Sequence, residues 1–259
     1  MYSLLCSVFT ILAATEGKSV VAISLSNIDS SKSHQEPVRN YPYVVGIWNH
    51  INFECVGSII SEYHVITTAA CANNAIPNFG GYINAGSDYR NQNGTLHKIE
   101  QVITHEDYNE TEVLNDIALI KVVEPFKFDG LRQKIELIYQ NEEIKPKTKA
   151  IVATWGDTES GEDVEELREF KVFVISHKQC SGQYSWNGGL TDGEMCAGSR
   201  YFAKYILVCL DVGDPLVIDG RLVGLASWGD NCAEAPYVYT KVSHYREWID
   251  EKMKLSMGL

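Results

Sequence analysis

Cys209-Leu210-Asp211-Val212-Gly213-Asp214-Pro215, running straight into Leu216-Val217-Ile218, is the stretch on which the reading of the chain depends. Gly213 and Pro215 interrupt the backbone just before an apolar run, so the stretch reads as a loop that feeds a buried β-strand. The loop carries one cysteine and two carboxylates, Asp211 and Asp214, and it contains no serine.

On either side of the loop the chain is rich in short strand-like runs. Val44 to Trp48, Cys55 to Ile60 and His64 to Thr68 are β-rich and are separated by polar or glycine-bearing breaks, the pattern of antiparallel barrel strands. Ala150 to Gly156, the alternating run Leu167 to Ser176, Gly224 to Gly229 and Pro236 to Val242 repeat it downstream. The segment from Val122 to Lys149 is charged and holds Pro125 and Pro146, which suits a connection between two halves. At the end of the chain Tyr245, Trp248, Ile249 and Met253 recur near the helical period, with Ser243 placed to cap. His64 reads as a turn residue, and His105 precedes an acidic loop of Glu106, Asp107, Glu110 and Glu112; both are expected at a solvated surface.

At 259 residues with 45% hydrophobic content, the chain is long enough for one large all-β domain or two small ones. A formal charge of −12 and the lack of a Lys/Arg cluster exclude a nucleic-acid surface. Leu4 to Ala14 is an apolar run of 11 residues, too short for a bilayer and suited to a secretory signal over residues 1–17, with cleavage somewhere from 14 to 22. A polar, flexible segment over 18–40 follows, and no later stretch is expected to span a membrane. Removing the signal takes Cys6 away and leaves six of the seven cysteines, an even number that suits an oxidised secreted protein. No CxxC or HxxxH spacing is present, so no metal or cofactor is implied. Asn93 and Asn109 open glycosylation sequons in polar stretches.

Several motifs share one resemblance. Thr67-Thr68-Ala69-Ala70-Cys71 is similar to the Thr-Ala-Ala-His-Cys segment of chymotrypsin-like (trypsin-type) serine proteases, and Asn115-Asp116-Ile117-Ala118-Leu119-Ile120-Lys121 matches their Asn-Asp-Ile-Ala-Leu-Ile-Lys box. Trp155-Gly156, Met195-Cys196-Ala197-Gly198 and Ser227-Trp228-Gly229 resemble further family segments in the same order. The opening loop looks like the family's Cys-x-Gly-Asp-Ser-Gly-Gly-Pro with one residue missing. The resemblance runs from Tyr41 to Met253. It implies two antiparallel six-stranded β-barrels, about 41–145 and 146–253, with a C-terminal α-helix. It also implies disulfides Cys55–Cys71, Cys180–Cys196 and Cys209–Cys232, separated by 16, 16 and 23 positions.

The same alignment removes the family's chemistry in five places. Ala70 stands where the catalytic histidine belongs, and Val212 where the nucleophilic serine belongs, while Asp116 keeps the third triad position. The loop is one residue short at the oxyanion-hole glycine. Leu207 falls at the base of the primary pocket and Tyr237 replaces a pocket-lining glycine, so a phenol ring is expected to fill the pocket. About a dozen residues before Pro42-Tyr43 no activation tetrapeptide is present, which leaves Asp211 without the amino terminus that pairs with it in the family. Asp116, with no imidazole to orient, is expected to accept backbone N–H bonds at the barrel interface. Losing the nucleophile or the base alone costs about 10⁶ in turnover in a serine protease of another fold. The expectation is therefore a non-catalytic homologue that binds an extracellular protein, as cofactor, adaptor or decoy. Ser227-Trp228-Gly229 remains able to pair with an extended peptide.

Overall fold

The computed structural model describes residues 40–75, 80–156, 165–198, 209–229 and 236–259. The expected signal segment, the N-terminal segment up to residue 39, Leu207 and Cys232 lie outside the described residues.

The first half begins with β1 (Val44–Trp48), β2 (Phe53–Ile59) and β3 (His64–Thr67). A short helix α1 (Ala69–Ala75) and strands β4 (Tyr82–Ala85), β5 (Thr95–Thr104) and β6 (Ala118–Val122) follow. These six strands close a barrel in the order β1-β2-β3-β6-β5-β4. Its interior is filled by Val45, Ile47, Ile59, Val65, Ile83, Ile120 and Val122. Successive side chains on a strand point to opposite faces, and along β1, β2, β3 and β6 both faces are mostly buried. Val44, Val56, Ile66 and Leu119, on the alternate positions, join the larger core shared with the second half. That double burial is why these strands read as continuous apolar runs. Burying each such side chain contributes about 1.5–3 kcal/mol. Gly57 has no room for a side chain, since a Cβ there would lie 2.5 Å from Val65 Cγ1.

The second half consists of β7 (Glu136–Leu137), β8 (Lys149–Thr154), β9 (Arg168–Ile175), helix α2 (His177–Gln183) and β10 (Glu194–Gly198). It continues with β11 (Pro215–Ile218), β12 (Arg221–Trp228), β13 (Tyr237–Lys241) and helix α3 (Val242–Ser256). The order β11-β8-β9-β10-β13-β12 is closed by a β11–β12 pairing, giving a second antiparallel barrel of six strands. Asp219 and Gly220 make the hairpin turn between β11 and β12, both at positive φ (49° and 73°), the backbone that a two-residue turn needs. The expected architecture of two six-stranded barrels with a C-terminal helix is the one observed. One strand departs from the antiparallel pattern: β7, from the connecting segment, pairs parallel with β12.

Disulfides Cys55–Cys71 and Cys180–Cys196 tie β2 to α1 and α2 to β10. Cys209 is also disulfide-bonded, and its expected partner Cys232 is outside the described residues. Ser243 does not cap α3. The helix starts two residues earlier, with Lys241 at its cap, and Ser243 is fully buried inside the first turn, where α3 enters the core through Val242 and Tyr245.

Candidate functional site

Ala70 and Asp116, two of the positions that the resemblance assigns to the triad, meet where the barrels face each other. Asp116 ends the loop before β6 and is 2% exposed. Its Oδ1 accepts the backbone N–H of Ala70 at 2.8 Å, and its Oδ2 accepts the Ser227 hydroxyl at 2.5 Å. Its carbonyl accepts the Thr240 hydroxyl at 2.7 Å, so both barrels hold the residue. The preceding Asn115 has a left-handed backbone (φ 54°) and is held by Tyr245 of α3 and by the Asp107 carbonyl. Burial raises the Asp116 carboxyl above the usual range, opposed by the hydrogen bonds from Ser227, Ala70 and Ala69 and reinforced by the charge of Glu194.

Ala70 lies in the first turn of α1 and presents a methyl group. Val212 sits at the tip of the 209–215 loop and packs against the core of the first barrel. The loop is bound on both sides: Val56 N–H donates to the Val212 carbonyl at 3.0 Å, and Gly213 N–H to the Ala226 carbonyl at 2.7 Å. Gly213 is obligatory, because at φ 90° a Cβ would lie 1.9 Å from the Val56 carbonyl oxygen. The Val56 bond ties Val212, the residue that the resemblance aligns with the nucleophile, to the first barrel. Neither an alanine nor a valine side chain can accept a proton or attack a carbonyl.

Sequence reasoning attached no role to Asp214. Its side chain is completely buried, its Oδ2 accepts Asp211 N–H at 2.8 Å, and its carbonyl accepts Ala226 N–H at 2.9 Å. Burial and the charge of Asp211 push its carboxyl well above the usual range, with a Thr154 hydrogen bond in opposition. A carboxylate between Gly213 and Pro215, directly before an apolar strand, was the available signal.

Tyr237 turns into the site. Its ring lies against Gly229, where a Cβ would be 2.9 Å from Cδ2, and its hydroxyl reaches toward the Leu210 carbonyl at 3.4 Å. It therefore crosses from the Ser227-Trp228-Gly229 strand to the 209–212 loop, and burial pushes its phenol up. Trp228 is fixed edge-on to Tyr184 at 4.8 Å and donates Nε1–H to Glu194 at 2.9 Å. Glu194, which sequence reasoning also missed, accepts two further bonds from Thr191.

The histidines depart from expectation. His64 is 2% exposed at the start of β3, covered by the end of α3, and His105 is half-buried against Trp248 and Tyr245. Their surroundings come from a helix more than a hundred residues downstream. Asn93 and Asn109 are both exposed; Asn93 has φ 61° before Gly94, and Asn109 Oδ1 accepts the N–H groups of Thr111 and Glu112. Among the described residues no group of three His, Cys, Asp or Glu could hold a metal, and no helix is long and apolar enough to cross a membrane.

A family model described as Trypsin matches residues 31–249. A trypsin of Phaedon cochleariae is 30% identical over 88% of this chain and 90% of its own length, and a trypsin of Simulium vittatum is 34% identical over 76% and 82%. Among solved structures, an inactivated protease paralogue of the scabies mite superposes with a TM-score of 0.76 at 31% identity, over 85% of this chain and 95% of that one. Together with the two barrels, these matches show that the chain belongs to the trypsin family of serine proteases.

Proposed function

We propose that this chain is a secreted, catalytically inactive member of the family that works by binding another extracellular protein, as cofactor, adaptor or decoy for an active protease, its substrate or its inhibitor. The observation that carries the reading is the bonding of Asp116. Its two oxygens are taken by a backbone N–H and the Ser227 hydroxyl, with a methyl group where a base would stand and Val212 where a nucleophile would stand. Tyr237 adds to it by occupying the side-chain pocket, so a substrate would lack its anchor even if the triad were restored. The similar inactivated protease paralogue of the scabies mite has the same fold. Exposed loops on a disulfide-braced frame are where binding surfaces arise, and glycans at Asn93 and Asn109 would suit an extracellular protein.

The test has two arms. The purified secreted protein is incubated with fluorogenic peptides and a serine-directed phosphonate; no turnover and no labelling are expected, and labelling with turnover would establish a residual hydrolase instead. Cross-linking in the native fluid, followed by mass spectrometry, is expected to recover one discrete protease, inhibitor or receptor repeatedly. Recovery of the monomer alone at good cross-linking efficiency would move the role to storage or structure.

A further inference from the structure

The last turns of α3 lie on the first barrel although the helix grows out of the second, and two histidines fasten them there. His64 Nε2 is 2.7 Å from Ser256 Oγ, and His64 Nδ1 is 2.8 Å from Ser61 Oγ. The Ser256 hydroxyl donates to the Met253 carbonyl, so it must accept from the imidazole Nε2–H. Ser61 Oγ already accepts the N–H groups of Tyr63 and His64, so its own proton goes to Nδ1. The ring is thus held neutral, with both nitrogens engaged. Lys121 completes this end of the clamp by donating to the Ser256 carbonyl at 3.1 Å and pairing with Glu100, a cation at the negative end of the helix.

The second fastening lies about two turns earlier. His105 stacks on Trp248 at 5.1 Å and meets Tyr245 edge-on at 5.5 Å, while its Nδ1 accepts the Asp107 N–H at 3.2 Å. Beside it Glu106 accepts the Trp248 Nε1–H at 2.8 Å and pairs with Lys252. Each imidazole therefore uses Nδ1 as an acceptor, which the imidazolium cannot do.

We propose that α3 is an acid-released clamp: protonation of His64 and His105 detaches its C-terminal half, residues 248–259, from the first barrel while both barrels stay folded. Burial is the main effect disfavouring the charged form at both rings. Lys121 opposes the charge on His64 and Glu100 favours it; around His105, Glu106 and Asp107 favour it, and Lys252 and His244 oppose it. Because the clamped rings bind protons less readily than the released ones, the clamp is fully held above the ordinary histidine range near pH 6.5 and weakens as pH falls below it.

Hydrogen exchange of the full chain between pH 7.5 and 5.0, corrected for intrinsic rates, reads the opening of residues 248–259 directly. Two linked protons raise the opening constant by up to about 100-fold per pH unit below about pH 6.5. His64→Gln and His105→Gln keep an acceptor and a donor without titrating, so each should halve the slope to about tenfold per unit, and the double variant should be flat. His97→Gln, at a third buried histidine packed on Phe126 rather than on α3, should leave the slope unchanged. A wild-type slope of zero, an unchanged slope in the double variant, or β12 and β13 opening together with α3 would each overturn the proposal. Should His64→Gln fail to fold, the ring nitrogens of the wild type decide the matter: a His64 titration at or above the ordinary range overturns it.

Discussion

Replacing Asp116 by alanine removes the acceptor of two buried donors, the Ala70 N–H and the Ser227 hydroxyl. Each orphaned donor costs about 1–3 kcal/mol, so the gross penalty is about 2–6 kcal/mol. Part is returned because a buried carboxyl is also lost. The sign of its pH dependence follows from its raised folded pKa: the group's contribution is fully present below the ordinary value of 3.8 and is lost as pH rises through the folded value. The deficit of Asp116→Ala relative to wild type should therefore be larger at pH 4 than at pH 7, and at least about 2 kcal/mol at the acid end. Asp116→Asn should be nearly silent, within about 1 kcal/mol, because its oxygen can accept from Ala70 while its amide donates to a rotated Ser227 hydroxyl. In an active serine protease the same conservative change costs about 10⁴ in turnover with the geometry intact. Under the proposed function it has no turnover to remove here. Urea unfolding of the three proteins at both pH values is the assay. A stable Asp116→Ala, or an Asp116→Asn as damaged as the alanine, would refute a structural role for the carboxylate.

Tyr237→Gly should open the pocket to a small aromatic probe such as indole, seen by ligand-detected NMR; equal binding to the wild type would show that the ring does not plug it. Asp214→Asn should raise the melting temperature at pH 7–8, where the wild type holds an acid whose pKa is driven up by burial, and the gain should vanish below about pH 3.8, where the group is protonated in both folded and unfolded chains. A gain that grows on acidification would contradict that sign. Val113 is β-branched and sits at φ 52° in the loop before Asp116. Exchange for asparagine, which tolerates that region, should stabilise by about 1 kcal/mol, or about 2–4 °C, in a thermal melt.

The features of the site that follow from residue type are legible along the chain itself. Ala70, Asp116 and Val212 lie inside segments whose neighbours, Thr67 to Cys71, Asn115 to Lys121 and Cys209 to Ile218, are local and ordered, so each substitution can be placed by counting residues. Strands β1, β2 and β3 are legible for a related reason, since their apolar runs mark burial on both faces, whereas β4 and β5, less apolar and partly exposed, are not. The resemblance places Tyr237 beside the pocket in the same way, but the direction of its ring cannot be read, because the rotamer that carries it against Gly229 and toward the Leu210 carbonyl depends on neighbours from other segments.

His64 and Ser243 mark where local reading stops. His64 sits beside polar residues and reads as a turn, yet Ser256, 192 positions away, buries it and fixes its tautomer. Ser243 has the side chain of a cap, but the last strand delivers the helix into the core two residues sooner than the pattern suggests. Asp214 reads as one more loop carboxylate until β12 closes over it and Asp211 turns its N–H inward. What the sequence by itself determined is the fold family and the chemical type of the residues at 70 and 212, because a methyl or an isopropyl group cannot become a base or a nucleophile in any environment. What only the tertiary structure decided is which polar groups are buried, paired and shifted in pKa, because those properties belong to contacts between segments that approach each other only when both barrels and the terminal helix are assembled.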